Sequence, residues 1–200
     1  MTSVGGANPS RLAEVRHVLD SAEYFDPRVN RWQELPRLSR ERCAAAAVTL
    51  QRQIFMLGGC DEDGVALAST EMLDLNRTSR RWEALPMMKR ARCNFAAAIS
   101  SRRILVAGGY DDNTRDVDTV EQFDPSHDIG WEAVSSLPIP RWGVRAGSRA
   151  GAVFIVGGHV GENEVGNTDC LEHSSGAWAS YSRLSEPRRS FGLAAINGYG

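Results

Sequence analysis

The chain has no long apolar run. Its most hydrophobic stretches, CAAAAVTL and AVFIVGG, fall far short of the roughly 20 residues that span a bilayer, so no membrane partner is expected. It has no strong charge of either sign. The 23 Lys and Arg oppose 25 Asp and Glu for a net charge of −2, which removes any general pull toward nucleic acid. The opening MTSVGGANPSRLAEV has neither a basic start nor the apolar stretch of a secretory leader, and this predicts a cytoplasmic protein. No two of Cys43, Cys60, Cys93 and Cys170 form a C-x-x-C pair, and no histidine spacing suggests zinc, so reduced thiols are expected. His17, His127, His159 and His173 include no i,i+4 pair, and neither a G-x-S-x-G elbow nor a phosphate-loop motif occurs. The sequence therefore predicts no catalytic residue, no metal and no cofactor, and the chain is not expected to be an enzyme. A sustained 3.6-residue pattern is missing too, apart from room for one helical turn in SRLAEVRHVLDSAEY.

What the chain does have is repetition. Glycine doublets close the hydrophobic phrases QIFMLGG, RRILVAGG and GAVFIVGG, and a shorter SVGGANP opens the chain. The second glycines, Gly6, Gly59, Gly109 and Gly158, step by 53, 50 and 49 residues. Trp32, Trp82, Trp131 and Trp178 step by 50, 49 and 47. Between doublet and tryptophan lies an acidic and hydrophobic phrase: AEYFDP, TEMLDL, VEQFDP and a weaker TDCLEH. Beyond each tryptophan an arginine (Arg42, Arg92, Arg141, Arg189) precedes a run of small apolar residues. Four markers on one period define a repeat.

Each period reads as four short strands separated by turn signals. In the clearest copy these are CNFAAAIS, RRILVAGG, DTVEQFD and GWEAVS, with the first two joined by the tight link at residues 101–102. The doublets Gly58–Gly59, Gly108–Gly109 and Gly157–Gly158 fall where strand two must turn away, which calls for positive φ and close backbone approach. The tryptophans read as packing between repeats. Cys43 and Cys93 hold the same place in two copies and so belong to separate units.

Units of this length and strand content stack radially. The doublet, the acidic phrase and the spaced tryptophan resemble kelch repeats, and the resemblance covers essentially the whole chain. It implies an all-β fold, a kelch-type β-propeller of about four four-stranded blades in a single domain over residues 1–200. The repeats run approximately 1–36 (partial), 37–86, 87–138, 139–184 and 185–200 (partial). The ring would be closed by a composite blade from both termini, or the chain would be part of a larger propeller. The fourth copy departs from the pattern, with Asp169 in place of glutamate and Glu172–His173 where Tyr-Asp is usual.

Hairpin geometry puts the start of strand one and the end of strand two at the same rim. Arg42, Arg92, Arg141 and Arg189 thus share a face with Ala7, Cys60, Tyr110 and His159. In kelch propellers of ubiquitin-ligase adaptors, arginines at the start of strand one hold acidic peptides. That resemblance makes Arg42, Arg92, Arg141, Arg189, Tyr110 and His159 the partner-binding candidates, with Arg40 and Arg90 behind them. It implies a protein–protein interaction module for a carboxylate-containing peptide, with a possible substrate-recognition role in a larger complex. A residue present in every copy also suits the repeat's own architecture, and Asp61, Glu62, Asp63, Asp111, Asp112, Glu162 and Glu164 crowd the same rim. Two alternatives stand beside the peptide reading: a cytoskeletal scaffold without a discrete site, and a propeller enzyme acting on sugars or using copper.

Overall fold

The computed structural model describes residues 2–7, 18–113, 115–127, 129–172 and 175–195. His17, His173 and most of the segment with room for a helical turn lie outside them. Every regular element among the described residues is a strand, and all pairings are antiparallel.

Four sheets follow one another. The first contains β1 (Thr2–Ala7), β2 (Val18–Asp26) and β3 (Arg31–Leu35). The second contains β4 (Ala46–Leu50), β5 (Gln53–Leu57), β6 (Thr70–Asp74) and β7 (Trp82–Leu85). In the third, β8 (Ala96–Ser100) and β9 (Arg103–Ala107) lead into a small hairpin, β10 (Tyr110–Asp111) with β11 (Arg115–Asp116). The sheet then resumes with β12 (Val120–Phe123) and β13 (Glu132–Val134). The fourth repeats this plan: β14 (Arg145–Arg149), β15 (Ala152–Val156), the hairpin β16 (His159–Val160) with β17 (Asn163–Glu164), then β18 (Thr168–Leu171) and β19 (Trp178–Tyr181). Each complete sheet is ordered by sequence, as the blade of a propeller is. The weaker TDCLEH phrase still forms its strand, β18.

The first strand of each blade is innermost, because β4 packs beside β8 and β8 beside β14. Small residues make that crowding possible, as in AAVTL, AAAIS and the Gly147 of RAGSR. The next strand outward, such as Arg103–Ala107, is buried on both faces because a blade lies on either side of it. This is why it reads as a continuous apolar run rather than an alternating one. Phe55, Phe95 and Val106 fill the gap between the second and third blades, and Leu105, Val144 and Ile155 fill the next.

The hairpin links between first and second strands need positive φ at both central residues, the requirement of a type I′ turn. Of the three described links only one carries glycine. Gln51 and Arg52 adopt φ of 51° and 64°, Ser101 and Arg102 49° and 65°, and Ala150 and Gly151 50° and 82°.

The outer tryptophans tie each blade to the one before it. The indole Nε1 of Trp82 donates to the Pro36 carbonyl at 2.8 Å, Trp131 to Pro86 at 2.9 Å and Trp178 to Ser135 at 2.8 Å. Trp32 lies half exposed against Phe25. Trp131→Phe keeps most of the apolar contact but removes one of the two donors to the Pro86 carbonyl, which keeps the Thr70 hydroxyl at 2.9 Å. We expect a loss of about 0.5–1.5 kcal/mol in urea unfolding. An unchanged midpoint would show that the bond contributes nothing net.

The sheets do not close into a ring among the described residues. β1 pairs only with β2, and no described residue joins the chain's tail to it. The tail runs instead beside β14, where Arg145 Nε donates to the Phe191 carbonyl at 2.7 Å. It holds the place of a next innermost strand without a strand partner of its own. Of the two arrangements the repeat allowed, the unclosed one fits the described residues.

Candidate functional site

The face at issue is the mouth of the propeller, where strand one begins and strand two ends. A backbone hoop runs around it. Asn94 N–H donates to the Ala44 carbonyl at 2.9 Å, Gly143 to Asn94 at 2.7 Å and Ser190 to Gly143 at 2.8 Å. All four residues have positive φ, and each stands two places after an arginine: Arg42, Arg92, Arg141 and Arg188. The tandem arginines of the last copy are thereby resolved. Arg188 holds the repeated position, and Arg189, the sequence-based choice, stands one place beyond it.

Arg42, Arg92 and Arg141 do not face the mouth at all. Their exposures are 1%, 0% and 0%. Arg92 donates to the carbonyls of Gly108 (2.7 Å) and Thr119 (2.9 Å), to Thr119 Oγ1 (2.9 Å) and to Glu121 Oε1 (2.6 Å). Arg42 makes the matching set with Gly58, Ser69 and Glu71, reaching Glu71 Oε1 at 2.8 Å. Arg141 reaches Asp169 Oδ2 at 2.6 Å but leaves Nε and Nη1 without partners. With Asp169 and Asn167 at the places of the glutamate and of Ser69 or Thr119, its other bond is to the Ile155 carbonyl at 3.4 Å. Burial pulls these guanidinium groups below their usual pKa range, against the opposing pull of the facing carboxylates. The expectation that these three arginines form a binding rim is corrected here. A buried charge needs a buried partner, and each arginine already has one.

The same arginines explain the glycine doublets. Arg92 reaches with its side chain to the Gly108 carbonyl of its own blade, while its backbone carbonyl accepts from Gly59 N–H of the preceding blade at 3.0 Å. Arg141 and Arg188 accept in the same way from Gly109 and Gly158, both at 2.9 Å. Doublet and arginine together form the joint between neighbouring blades, so they recur together.

The residues that reach the mouth are those following the arginines (Cys43, Cys93, Trp142, Arg189) and those following the doublets (Cys60, Tyr110, His159). They pair within each blade as Cys43 with Cys60, Cys93 with Tyr110, and Trp142 with His159. The Trp142 and His159 rings lie 4.8 Å apart, and the Arg189 guanidinium sits 4.7 Å from the Trp142 centroid. Of the six candidates named from sequence, Tyr110, His159 and Arg189 come to this face. Trp142, Asn94 and Arg115 were missed. Trp142, the one tryptophan off the repeat spacing, was a legible signal.

A cavity of about 370 Å³ opens among these residues, lined by Cys60, Cys93, Asn94, Tyr110, Arg115, Asp116 and Trp142 together with Gly64 and Gly161. Most rim charges are already engaged. Arg40 pairs with Asp61 and Arg90 with Asp111, both at 2.6 Å. Arg189 lies 3.4 Å from Glu164. Asp112 and Asp116 accept from the Ala66 and Gly161 backbone N–H groups of the flanking blades, both at 2.9 Å. Arg115 is exposed and has no ion pair among the described residues. The His159 Nδ1 atom is buried there without a partner.

Radially stacked four-stranded blades, joined by a buried arginine–carboxylate pair and a glycine doublet, define a β-propeller. The family described as Kelch motif matches residues 41–89 and 91–138, so the chain carries kelch repeats there. Kelch repeats generally mediate protein–protein contacts. Among solved structures, 181 chains match. One is titled "Structure of YjhT", with 16% sequence identity and a TM-score of 0.68 over 82% of this chain and 52% of that one. The likeness is one of fold, and the present chain spans about half the length of that structure. No curated protein matches.

Proposed function

We propose that this propeller is a non-catalytic protein-interaction module whose contact face is the mouth, and that it takes a peptide through the cavity beside Arg115. One observation carries the reading. Within an aromatic-walled cavity of about 370 Å³, Arg115 is a cation not engaged by any described carboxylate. Tyr110 and Trp142 offer apolar area with polar tips, the composition of a contact hot spot. Arg115 offers a planar fork suited to a carboxylate.

The surrounding charges narrow the partner. Glu62, Asp63 and Glu162 are exposed on the same rim and have no ion pair among the described residues. A run of acidic residues would be repelled there. The peptide favoured is one presenting a single carboxylate among apolar or basic neighbours, which is narrower than an acidic segment.

Displayed random peptides selected on the full chain test this. Enriched sequences are expected to share one Asp or Glu, and to bind less tightly at high salt. Arg115→Ala should weaken them roughly tenfold or more, since a hydrogen bond between charged groups is worth about 1.5–3 kcal/mol. Enriched peptides without a carboxylate, or equal binding by the variant, would remove the proposal.

A further inference from the structure

Three of the four cysteines, distant in sequence, meet at the mouth. Cys43 Sγ and Cys60 Sγ lie 3.3 Å apart. Their backbones exchange both hydrogen bonds, Cys43 N–H to the Cys60 carbonyl at 2.9 Å and the reverse at 2.8 Å. Such a hydrogen-bonded antiparallel pair sets its Cα atoms about 5.5 Å apart, within the range a disulfide spans. Cys93 arrives from the next blade and shares a hydrogen bond with the Cys60 thiol, which draws the Cys93 thiol below its usual pKa. Cys60 and Cys93, 6% and 4% exposed, line the cavity at the mouth, and Cys43 beside them is half-buried. Cys170 is buried on β18, away from this group.

We infer that Cys43 and Cys60 form a redox-active dithiol at the propeller mouth, which a hydroperoxide converts to an intramolecular disulfide. The proposal is independent of the peptide reading, since it concerns the sulfurs alone. One thiolate of the pair attacks the peroxide. An S–O bond forms, the O–O bond breaks, and the departing hydroxide takes up a proton to leave as water. The facing thiol then attacks the sulfenyl sulfur. The S–S bond forms, the S–O bond breaks, and a second water leaves with the thiol's proton. Two electrons pass from the dithiol to the peroxide, and a thiol reductant reverses the change. The fold is prepared for it, because the two β-bridge hydrogen bonds already hold the sulfurs face to face. Little chain entropy is lost on closure.

The test uses the full chain, reduced, treated with hydrogen peroxide, then unfolded and alkylated before tryptic digestion without reductant. Cleavage after Arg42, Arg52 and Arg92 places Cys43, Cys60 and Cys93 on separate peptides. The expected product joins the Cys43 and Cys60 peptides, two hydrogens lighter than their sum, and separates with dithiothreitol. Titratable thiols should fall from four to two per chain. Cys93→Ser and Cys170→Ser should each keep the cross-link, whereas Cys43→Ser should lose it. Joining of Cys93 to either sulfur as the main product would overturn the assignment. So would sulfinic acids on unjoined peptides, or cross-links only between chains.

Discussion

Arg92→Ala is expected to lower the unfolding free energy by about 3–5 kcal/mol, the usual cost of removing one member of a buried ion pair. The substitution leaves Glu121, which is 2% exposed, with a buried charge and no counter-ion, and strips donors from Gly108 and Thr119. Domains of this kind hold only about 5–15 kcal/mol in total, so the variant would be close to its threshold at moderate temperature. Urea unfolding followed by far-ultraviolet circular dichroism gives the measurement. Two comparisons make it specific. The double variant Arg92→Met with Glu121→Leu should recover part of the loss, because no charge is then left buried alone. Arg141→Ala should cost less than Arg92→Ala, because Arg141 makes fewer hydrogen bonds. A loss below about 1 kcal/mol for Arg92→Ala, the scale of an exposed pair, would contradict the buried assignment.

The second large effect is expected at the doublets. Gly108 and Gly161 have similar backbones, with φ of 67° and 58°, but different surroundings. A Cβ at Gly161 meets nothing within 4 Å, whereas one at Gly108 would stand 2.6 Å from the Arg141 carbonyl of the next blade. Gly161→Ala should therefore cost only the left-handed backbone term, about 1–2 kcal/mol. Gly108→Ala adds an overpacking term of about 1–3 kcal/mol, because backbone must move to make room. A total near 2–5 kcal/mol is expected, together with loosening of the joint between the third and fourth blades. Amide exchange at Gly109, whose N–H bonds the Arg141 carbonyl, would report that loosening directly. Equal losses in the two variants would mean that φ alone, and not close approach, selects the glycine.

These two experiments bear on the same joint, and the joint separates architecture from recognition at the mouth. The arginine, the acid and the doublet hold blade to blade and are the same in nearly every copy. The positions beside them vary more: cysteine follows the arginine twice, as Cys43 and Cys93, then Trp142 and Arg189 do, while Cys60, Tyr110 and His159 follow the doublet. Constancy belongs to the scaffold. The peptide proposal and the dithiol both draw on residues outside that constant set.

The sequence by itself determined the blades. Period, strand count, tight hairpin links and the glycine requirement are all local properties. Each follows from which side chains suit a pleated strand or a positive φ, and the structure reproduces them even where the fourth copy departs from the pattern. The pairing of each arginine was also nearly legible. Arg42 to Glu71 and Arg92 to Glu121 each span 29 residues, and Arg141 to Asp169 spans 28, a constant separation that runs with the repeat. What the sequence could not decide was whether that arginine faced solvent or its own acid. A guanidinium is satisfied equally by water, a partner's carboxylate or a buried one, and the local pattern is the same in all three cases. Only the packing of one blade on the next closed off solvent and settled it. The same packing brought Cys43, Cys60 and Cys93 together from two blades, where the repeat alone had placed Cys43 and Cys93 apart.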